Sequence, residues 1–271
     1  MRTTRSFADV SYYAVIGAIG GLAIAILVVP VLVVLAISLT SAASLKFPPT
    51  GLSFRWYEAL FDPVQSGHIH SAALNSLQVA GSAAGLAMLI GTLAALWLDR
   101  HRGAAGHALD TAFMSPLVLP MLSFGLAALI IVTMLRQRPS LTWLTAGHLV
   151  VVIPFVIRTV SASLSQLDRA LIDSSASLGA SSFYTFRRVV LPVIAPGMAA
   201  GAFLAFVASM DNVPISLFLS NARTDMLPIR LWGMMESSLD VRVAAASGVL
   251  IVVTSVLLVV MNRLVGLNRR V

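Results

Sequence analysis

The chain has 271 residues, of which 58% are hydrophobic and only 11% charged, with a formal net charge of +7 and no cysteine. A soluble domain carries about 25% charged residues, so this composition excludes an ordinary water-soluble globule, and the missing thiols exclude disulfides and sulfur-ligated metal. The basic residues sit at the ends of apolar segments rather than in one patch, which points to membrane topology and not to nucleic acid.

Six long apolar segments follow one another along the chain. A bilayer core of about 30 Å needs roughly 20 helical residues, and helices are the form such segments take because lipid offers no partner to a free backbone N–H or C=O. The first, residues 13–39, exceeds the apolar region of about 7–15 residues in a signal peptide and reads as a retained span. After it come "LSFRWYEALF" (52–61) and "GHIH" (67–70). The two imidazoles of the latter make no closed metal site, and the stretch reads as outer loop. The second segment, 74–98, carries Gly81, Ser82, Ala84, Gly85 and Gly91. Small residues of this kind suit either close helix packing or helix sliding. The third segment is 112–135; the fourth, 141–157, is short and interrupted by Pro154. Pro116, Pro120, Pro154 and Pro196 read as kinks. Trp56, Trp143 and Trp232 suit the membrane–water interface.

A polar stretch, 161–192, separates the fourth and fifth segments. Placed on a helix, residues 163–178 bring Leu164, Leu167, Leu171 and Leu178 onto one apolar stripe, with Arg169, Asp173 and Ser177 opposite, aimed away from the protein body. Gly179 reads as a helix stop, since glycine tolerates positive φ. Ser181 or Ser182 can cap a second short helix, whose Phe183, Phe186 and Val190 share a face, and Pro192 ends the unit. The expected result is a bent helical pair docked on the bundle.

The fifth segment, 193–219, holds Asp211, the one ionisable side chain read as lying well inside an apolar span. A carboxylate in hydrocarbon is costly and faces the bundle interior or a wet cavity. It is read either as a pathway group that meets substrate, with Ser209 and Asn212, or as a packing contact satisfied by Ser209 or Ser216. Pro214 frees a backbone carbonyl nearby. "MLPIRLW" (226–232) and the sixth segment, 243–264, complete the chain.

With six spans, both termini share one side. That side holds Arg2, Arg5, Arg100, Arg102, Arg158, Arg169, Arg187, Arg188, Arg263, Arg269 and Arg270. The other holds Lys46, Arg55, Arg136, Arg138, Arg223, Arg230 and Arg242. The excess places both termini and the 161–192 stretch in the cytoplasm. The whole chain, 1–271, is expected to be one all-α transmembrane domain, a polytopic helical bundle.

Residues 173–192 resemble the cytoplasmic signature of the permease subunits of bacterial ATP-binding-cassette importers: Glu-Ala-Ala, three residues, Gly, nine residues, Ile, one residue, Leu-Pro. Asp173, Ser174 and Ser175 take the first three places, Gly179 matches, Val189 takes the Ile place, and Leu191-Pro192 match. Every interval is kept, and the first three positions depart conservatively. The resemblance extends over nearly the whole chain. "LSFRWYEALF" with "ALNSL" (73–77), and "MLPIRLW", are similar to the outer loops and second helix of the spermidine/putrescine-type subgroup.

The resemblance implies a type I importer permease whose bent pair, between helices 4 and 5, seats in a cleft of a separate ATPase dimer. Asp173 would make a charge-assisted contact there; Ser174, Ser175 and Ala176 would allow close approach; Gly179 would form the bend; Leu191 and Pro192 would lead into the span. Arg187 and Arg188 would meet anionic lipid headgroups. It also implies a second, different permease chain and an extracytoplasmic binding protein docked near Trp56, Tyr57 and Glu58, in a bacterial inner membrane. ATP and magnesium would belong to the ATPase. The residues agree: a phosphate-binding loop needs Gly-Lys followed by Ser or Thr, and the single lysine, Lys46, is followed by Phe and Pro.

Polyamine-type relatives pair two acids after Ser-x; here Ser209 and Asp211 match while Asn212 replaces the second acid. That leaves open a neutral or anionic amine compound such as a phosphonate. A secondary transporter or channel without an ATPase is the alternative, but it calls for several polar groups on broken helices at mid-membrane. An intramembrane enzyme lacks a catalytic set.

Overall fold

The computed structural model describes residues 7–267; Arg2, Arg5, Arg269 and Arg270 lie outside the described residues. Twelve α-helices follow in chain order: α1 (Phe7–Ser38), α2 (Arg55–Phe61), α3 (Pro63–Arg100), α4 (Ala104–Met114), α5 (Met121–Met134), α6 (Leu141–Leu164), α7 (Arg169–Ser177), α8 (Ser182–Thr185), α9 (Leu191–Met210), α10 (Val213–Leu219), α11 (Leu227–Ser238) and α12 (Arg242–Leu267). A 3₁₀ turn (Ser115–Leu117) follows α4 and a π-helical turn (Phe186–Val190) joins α8 to α9. Among the described residues there is no strand, only an isolated bridge between Thr40 and Leu52. The all-helical expectation holds.

Among the described residues, five helical stretches are long and apolar enough to cross a membrane: Val15–Ser38, Pro63–Arg100, Leu141–Leu164, Ser182–Met210 and Arg242–Arg263. A sixth is reached if Ala104–Leu117 and Met121–Met134 count as one span bent by 101°. The weak segment is thus the third, not the fourth. Pro116 lies in the 3₁₀ turn and Pro120 immediately precedes α5; both lack an N–H, and each pushes its predecessor away from helical geometry. By contrast α6 runs unbroken through Pro154, and α9 through Pro196. Packed neighbours make an intrahelical proline tolerable in a span, and Pro154 is buried.

The chain divides into two compact units, one joining the chain up to Ser66 with Met234–Val252, the other joining Gly67–Gly233 with the chain from Val253 onward. In the first, the end of α1, α2 and the start of α12 meet around Tyr57. Its phenol shares a 2.8 Å hydrogen bond with Ser38 Oγ, and a Cβ on Gly248 would stand 2.5 Å from the same oxygen. Much of α1 presents exposed apolar side chains such as Ile19, Leu22 and Leu27, the surface of a helix built for lipid or for another chain.

In the second unit, α6 is the central post. A Cβ added to Gly91 of α3 would stand 2.9 Å from Val156 Cβ. One on Gly201 of α9 would stand 2.8 Å from Val156 Cα, and one on Gly197 2.6 Å from Thr159 O. Without a hydrophobic drive between helices, such close backbone approach supplies the packing. Ala80, Ala83, Ala84, Ala87 and Ala95 form the buried stripe of α3. The small residues of that segment therefore divide: Ala84 and Gly91 pack inward, whereas Gly81 and Gly85 have open space where a side chain would go.

Candidate functional site

The 161–192 stretch is bent twice, not once. Helix α6 ends at Leu164, and a new helix starts only where Asp168 caps α7 by accepting the Ala170 N–H at 2.9 Å. The continuous helix expected over 163–178 is therefore interrupted at 165–168, and the leucine stripe is lost with it. Leu164 is buried, but Leu171 is 52% and Leu178 88% exposed. Ile172 turns inward instead, packing against the core with Leu167 and Phe186. Asp173, Ser174 and Ala176 are exposed. Ser175 is half-buried, and its hydroxyl shares a 2.8 Å hydrogen bond with that of Thr185, which pins α7 to α8.

Gly179 adopts φ +78°, the left-handed conformation a helix stop requires and L side chains avoid. Nothing lies within 4 Å of the position its Cβ would take, so the requirement is one of backbone and not of space. Ser181 then caps α8, its hydroxyl accepting the Tyr184 N–H at 3.3 Å. Pro192 does not end the unit: helix continues from Ser182 through the π turn to Met210. Thr185 and Val190 are buried while Phe183 is 72% exposed, so the shared face expected for Phe183, Phe186 and Val190 does not form. Leu178, Gly179, Ala180, Ser181, Tyr184 and Ser175 line an open recess of about 490 Å³.

Arg169 is exposed, as a polar face requires, but it does not stand free. It reaches back to the end of α3, where its Nη2 donates to Asp99 Oδ2 at 3.0 Å, while Arg102 Nη2 donates to Asp99 Oδ1 at 2.9 Å. Arg158 similarly reaches Asp110 on α4 at 3.2 Å. Opposite charges placed far apart in sequence draw α7 to the end of a spanning helix. Sequence spacing gives no hint of such a pair.

Asp211 does not lie inside a continuous span either. It caps the C-terminus of α9, at a break, and is exposed. The next residue, Asn212, is buried and caps α10, its Oδ1 accepting the Ile215 N–H at 3.0 Å. Ser209 and Ser216 are buried too, yet neither serves Asp211. Both address His148 of α6, a fully buried imidazole that sequence reading passed over: its Nδ1 lies 2.7 Å from Ser209 Oγ and its Nε2 3.3 Å from Ser216 Oγ. Only its place in the middle of an apolar segment could have drawn attention to it. The two halves are anchored separately, α9 by Gly197 and Gly201 against α6, α10 by Pro214 and Phe218 against Gly125 of α5 and by Ile215 and Leu219 against Gly147.

"ALNSL" and "MLPIRLW" meet. Asn75 Nδ2 donates to Asp225 O at 3.0 Å and Ser76 Oγ accepts the Leu227 N–H at 2.8 Å. The second of these stretches, expected as loop, is the start of α11. "GHIH" likewise lies on α3 and not in a loop. Among the described residues no group of three or more His, Cys, Asp or Glu is placed to hold a metal. In the other unit, Trp56 Nε1 donates to Ala42 O at 3.0 Å, Tyr57 is engaged with Ser38, and Glu58 is exposed. Trp56 also lines a recess of about 450 Å³ with Asp240 and Arg242.

Three curated relatives are similar over most of the chain. The spermidine/putrescine transport system permease protein PotC of Haemophilus influenzae is 28% identical, covering 79% of this chain and 82% of its own. The putrescine transport system permease protein PotI of Escherichia coli K12 is 31% identical over 72% and 71%. The putative 2-aminoethylphosphonate transport system permease protein PhnV of Salmonella typhi is 27% identical over 79% and 86%. Among solved structures, a bacterial ABC transporter involved in alginate import matches with a TM-score of 0.72 at 16% identity, covering 99% of both chains. The methionine ABC transporter MetNI matches at 0.62 and 16%, covering 77% of this chain and 99% of that one. The family model for the inner membrane component of binding-protein-dependent transport systems matches residues 87–270, and the chain belongs to that family.

Proposed function

We propose that this permease subunit of an ATP-binding-cassette importer carries a small polar amine solute, a polyamine or an aminophosphonate, powered by a separate ATPase dimer that pushes on residues 161–192. The observation that carries the reading is Gly179 at φ +78°, standing between α7 and α8 at the interval the family signature requires. A left-handed glycine between two capped helices makes a foot of defined shape. Asp173, Ser174 and Ala176 are its outward contact residues, and Ser175 holds its two halves together. Leu191 and Pro192 pass displacement into α9 without a break in the helix.

On this reading the chain is not itself an enzyme: ATP and magnesium are bound by the ATPase. The chain lies in the bacterial inner membrane with both termini and the foot in the cytoplasm. A second permease, a different chain, supplies the other half of the path, and an extracytoplasmic binding protein delivers the solute near Trp56, Tyr57 and Glu58. Asp211 faces the path, with Ser209 and Asn212 shaping the break that carries it. The solute class comes from the relatives, whose names give polyamines and 2-aminoethylphosphonate. Family membership favours this reading over a secondary transporter or channel.

The test is reconstitution in liposomes with an ATPase, a second permease and a binding protein that assemble with this chain, supplying labelled spermidine, putrescine and 2-aminoethylphosphonate in turn. ATP-dependent uptake of one of the three is the expected result. Accumulation of any of them by the chain alone, without nucleotide hydrolysis, overturns the energy source; ATP-driven uptake of none overturns the solute class.

A further inference from the structure

We infer that His148 is a positioning residue whose ring ties the two sides of the α9–α10 break together and thereby sets where the Asp211 carboxylate stands. The inference rests on Asp211 facing the substrate path. Hydrogen-bond accounting fixes the direction of the tie. Ser216 Oγ donates its proton to Asn212 O at 2.6 Å, so toward the ring it can only accept. The ring nitrogen 3.3 Å away, Nε2, is then the N–H. A neutral imidazole has one donor and one acceptor, so Nδ1 accepts, and Ser209 O–H donates to it at 2.7 Å. One directed chain runs from Ser209, through the ring, through Ser216, to the carbonyl of Asn212.

The chain of bonds straddles the break. Ser209 is in the last turn of α9 and Ser216 is in α10; between them Asp211 is the exposed residue and Asn212 the buried cap. A helix interrupted inside a membrane leaves backbone groups that must be satisfied by something other than lipid. Here Asn212 Oδ1 accepts the freed Ile215 N–H, Ser216 Oγ donates to the Asn212 carbonyl, and the imidazole on α6 supports Ser216 in turn. With Gly147 next to it holding α10 at close range, His148 fixes the angle at which the two half-helices meet. A leucine of similar bulk in its place could fill the space but not hold the angle.

The absence of cysteine provides a direct assay in the assembled transporter. The thiol introduced by Asp211→Cys is labelled with a small cationic thiosulfonate, in chains carrying His148, His148→Leu or His148→Gln, with Gln137→Cys, at an exposed position between α5 and α6, as a control for folding. We expect His148→Leu to change the labelling rate at 211 by about five- to tenfold, the factor set by losing a hydrogen bond that holds the break. His148→Gln, which keeps a donor and an acceptor, should restore it, and the control rate should not move. Nitrogen NMR of the labelled ring should find Nε2 protonated and Nδ1 bare. An unchanged rate at 211 in His148→Leu, or the opposite tautomer, overturns the role of His148 and leaves the pathway reading intact. No labelling at 211 in any background instead removes Asp211 from the aqueous path, and the inference falls with it.

Discussion

Two regions of this molecule break a helix for opposite reasons. At Gly179 the chain turns by backbone conformation in an exposed segment, with open space around the turn. At Asp211–Asn212 it turns by side-chain hydrogen bonding, where Ser209, Asn212, Ser216 and His148 are all buried. An exposed bend needs only a residue that tolerates its dihedrals, because water satisfies the freed backbone groups. A buried break needs a full set of partners, because an unsatisfied polar group there costs about 1–3 kcal/mol. The first is written in one residue type, and the second is spread over three helices, α6, α9 and α10.

The comparison breaks most sharply at Gly179. Replacing it with valine places a β-branched residue at φ +78°, where an L residue costs about 1–2 kcal/mol or more. Each 1.4 kcal/mol reduces the bent form about tenfold. ATP-driven uptake should be lost while the chain still inserts and is recovered in membranes at normal level. Gly179→Asn should retain much of the activity, because asparagine visits the left-handed region more readily. Normal uptake by Gly179→Val would remove the coupling role altogether.

A glycine at a helix crossing should fail differently. Gly201→Leu drives a side chain into Thr159 and Val156 of α6, and overpacking of this kind costs about 1–3 kcal/mol. The effect should appear as a lower melting temperature and lower membrane level of the whole chain, with the surviving protein still coupled to ATP hydrolysis. If Gly201→Leu left stability intact, the close approach of α9 to α6 would not be what anchors α9.

These two glycines also mark what could be read in advance. Gly179 was legible because a local rule, glycine after an amphipathic run with a serine cap to follow, needs no knowledge of the rest of the fold. Gly91 is visible in the sequence as a small residue but not assignable, and Gly201 is not singled out there at all, since only the crossing partner says which small residue packs and which, like Gly81, faces open space. The register of the 161–192 stretch departs from the expected one for a definite reason: the helix expected over 163–178 is interrupted at 165–168, and a four-residue interruption moves every later side chain to another face. Ile172 therefore took the place given to Leu171. His148 was missed because pairing across 61 and 68 residues leaves no periodic trace.

The joint between α7 and α8 allows a finer test. Ser175→Ala removes the hydrogen bond to Thr185, worth about 0.5–1.5 kcal/mol, and leaves Thr185, a buried residue, short of that partner. Uptake should fall by a few-fold and not vanish. Thr185→Val added to Ser175→Ala should recover part of the loss, because an apolar pair leaves no orphan. Equal loss in single and double variants would mean that the bond does not hold the foot.

The smallest effect belongs to the ionic tether. The Arg169 side chain is 62% exposed and that of Asp99 27%, and exposed ion pairs contribute about 0–1 kcal/mol. Asp99→Asn also releases Arg102, so the variant frees two arginines at once and Arg169→Gln isolates the longer-range contact. The expectation is little change in stability but a rise in ATP hydrolysis that is not matched by uptake, because α7 loses its electrostatic hold on the end of α3. Salt should reproduce the trend in the parent protein, since screening acts over about 8–10 Å at ordinary ionic strength, and should have less effect in Arg169→Gln. Exchanging the charges, Asp99→Arg with Arg169→Asp, is the decisive variant when all are compared in an Arg102→Gln background, because Arg102 also pairs with Asp99: restored coupling would assign the tether to transmission, whereas a defect as large as in either single variant would make it a surface pair with no part in the stroke.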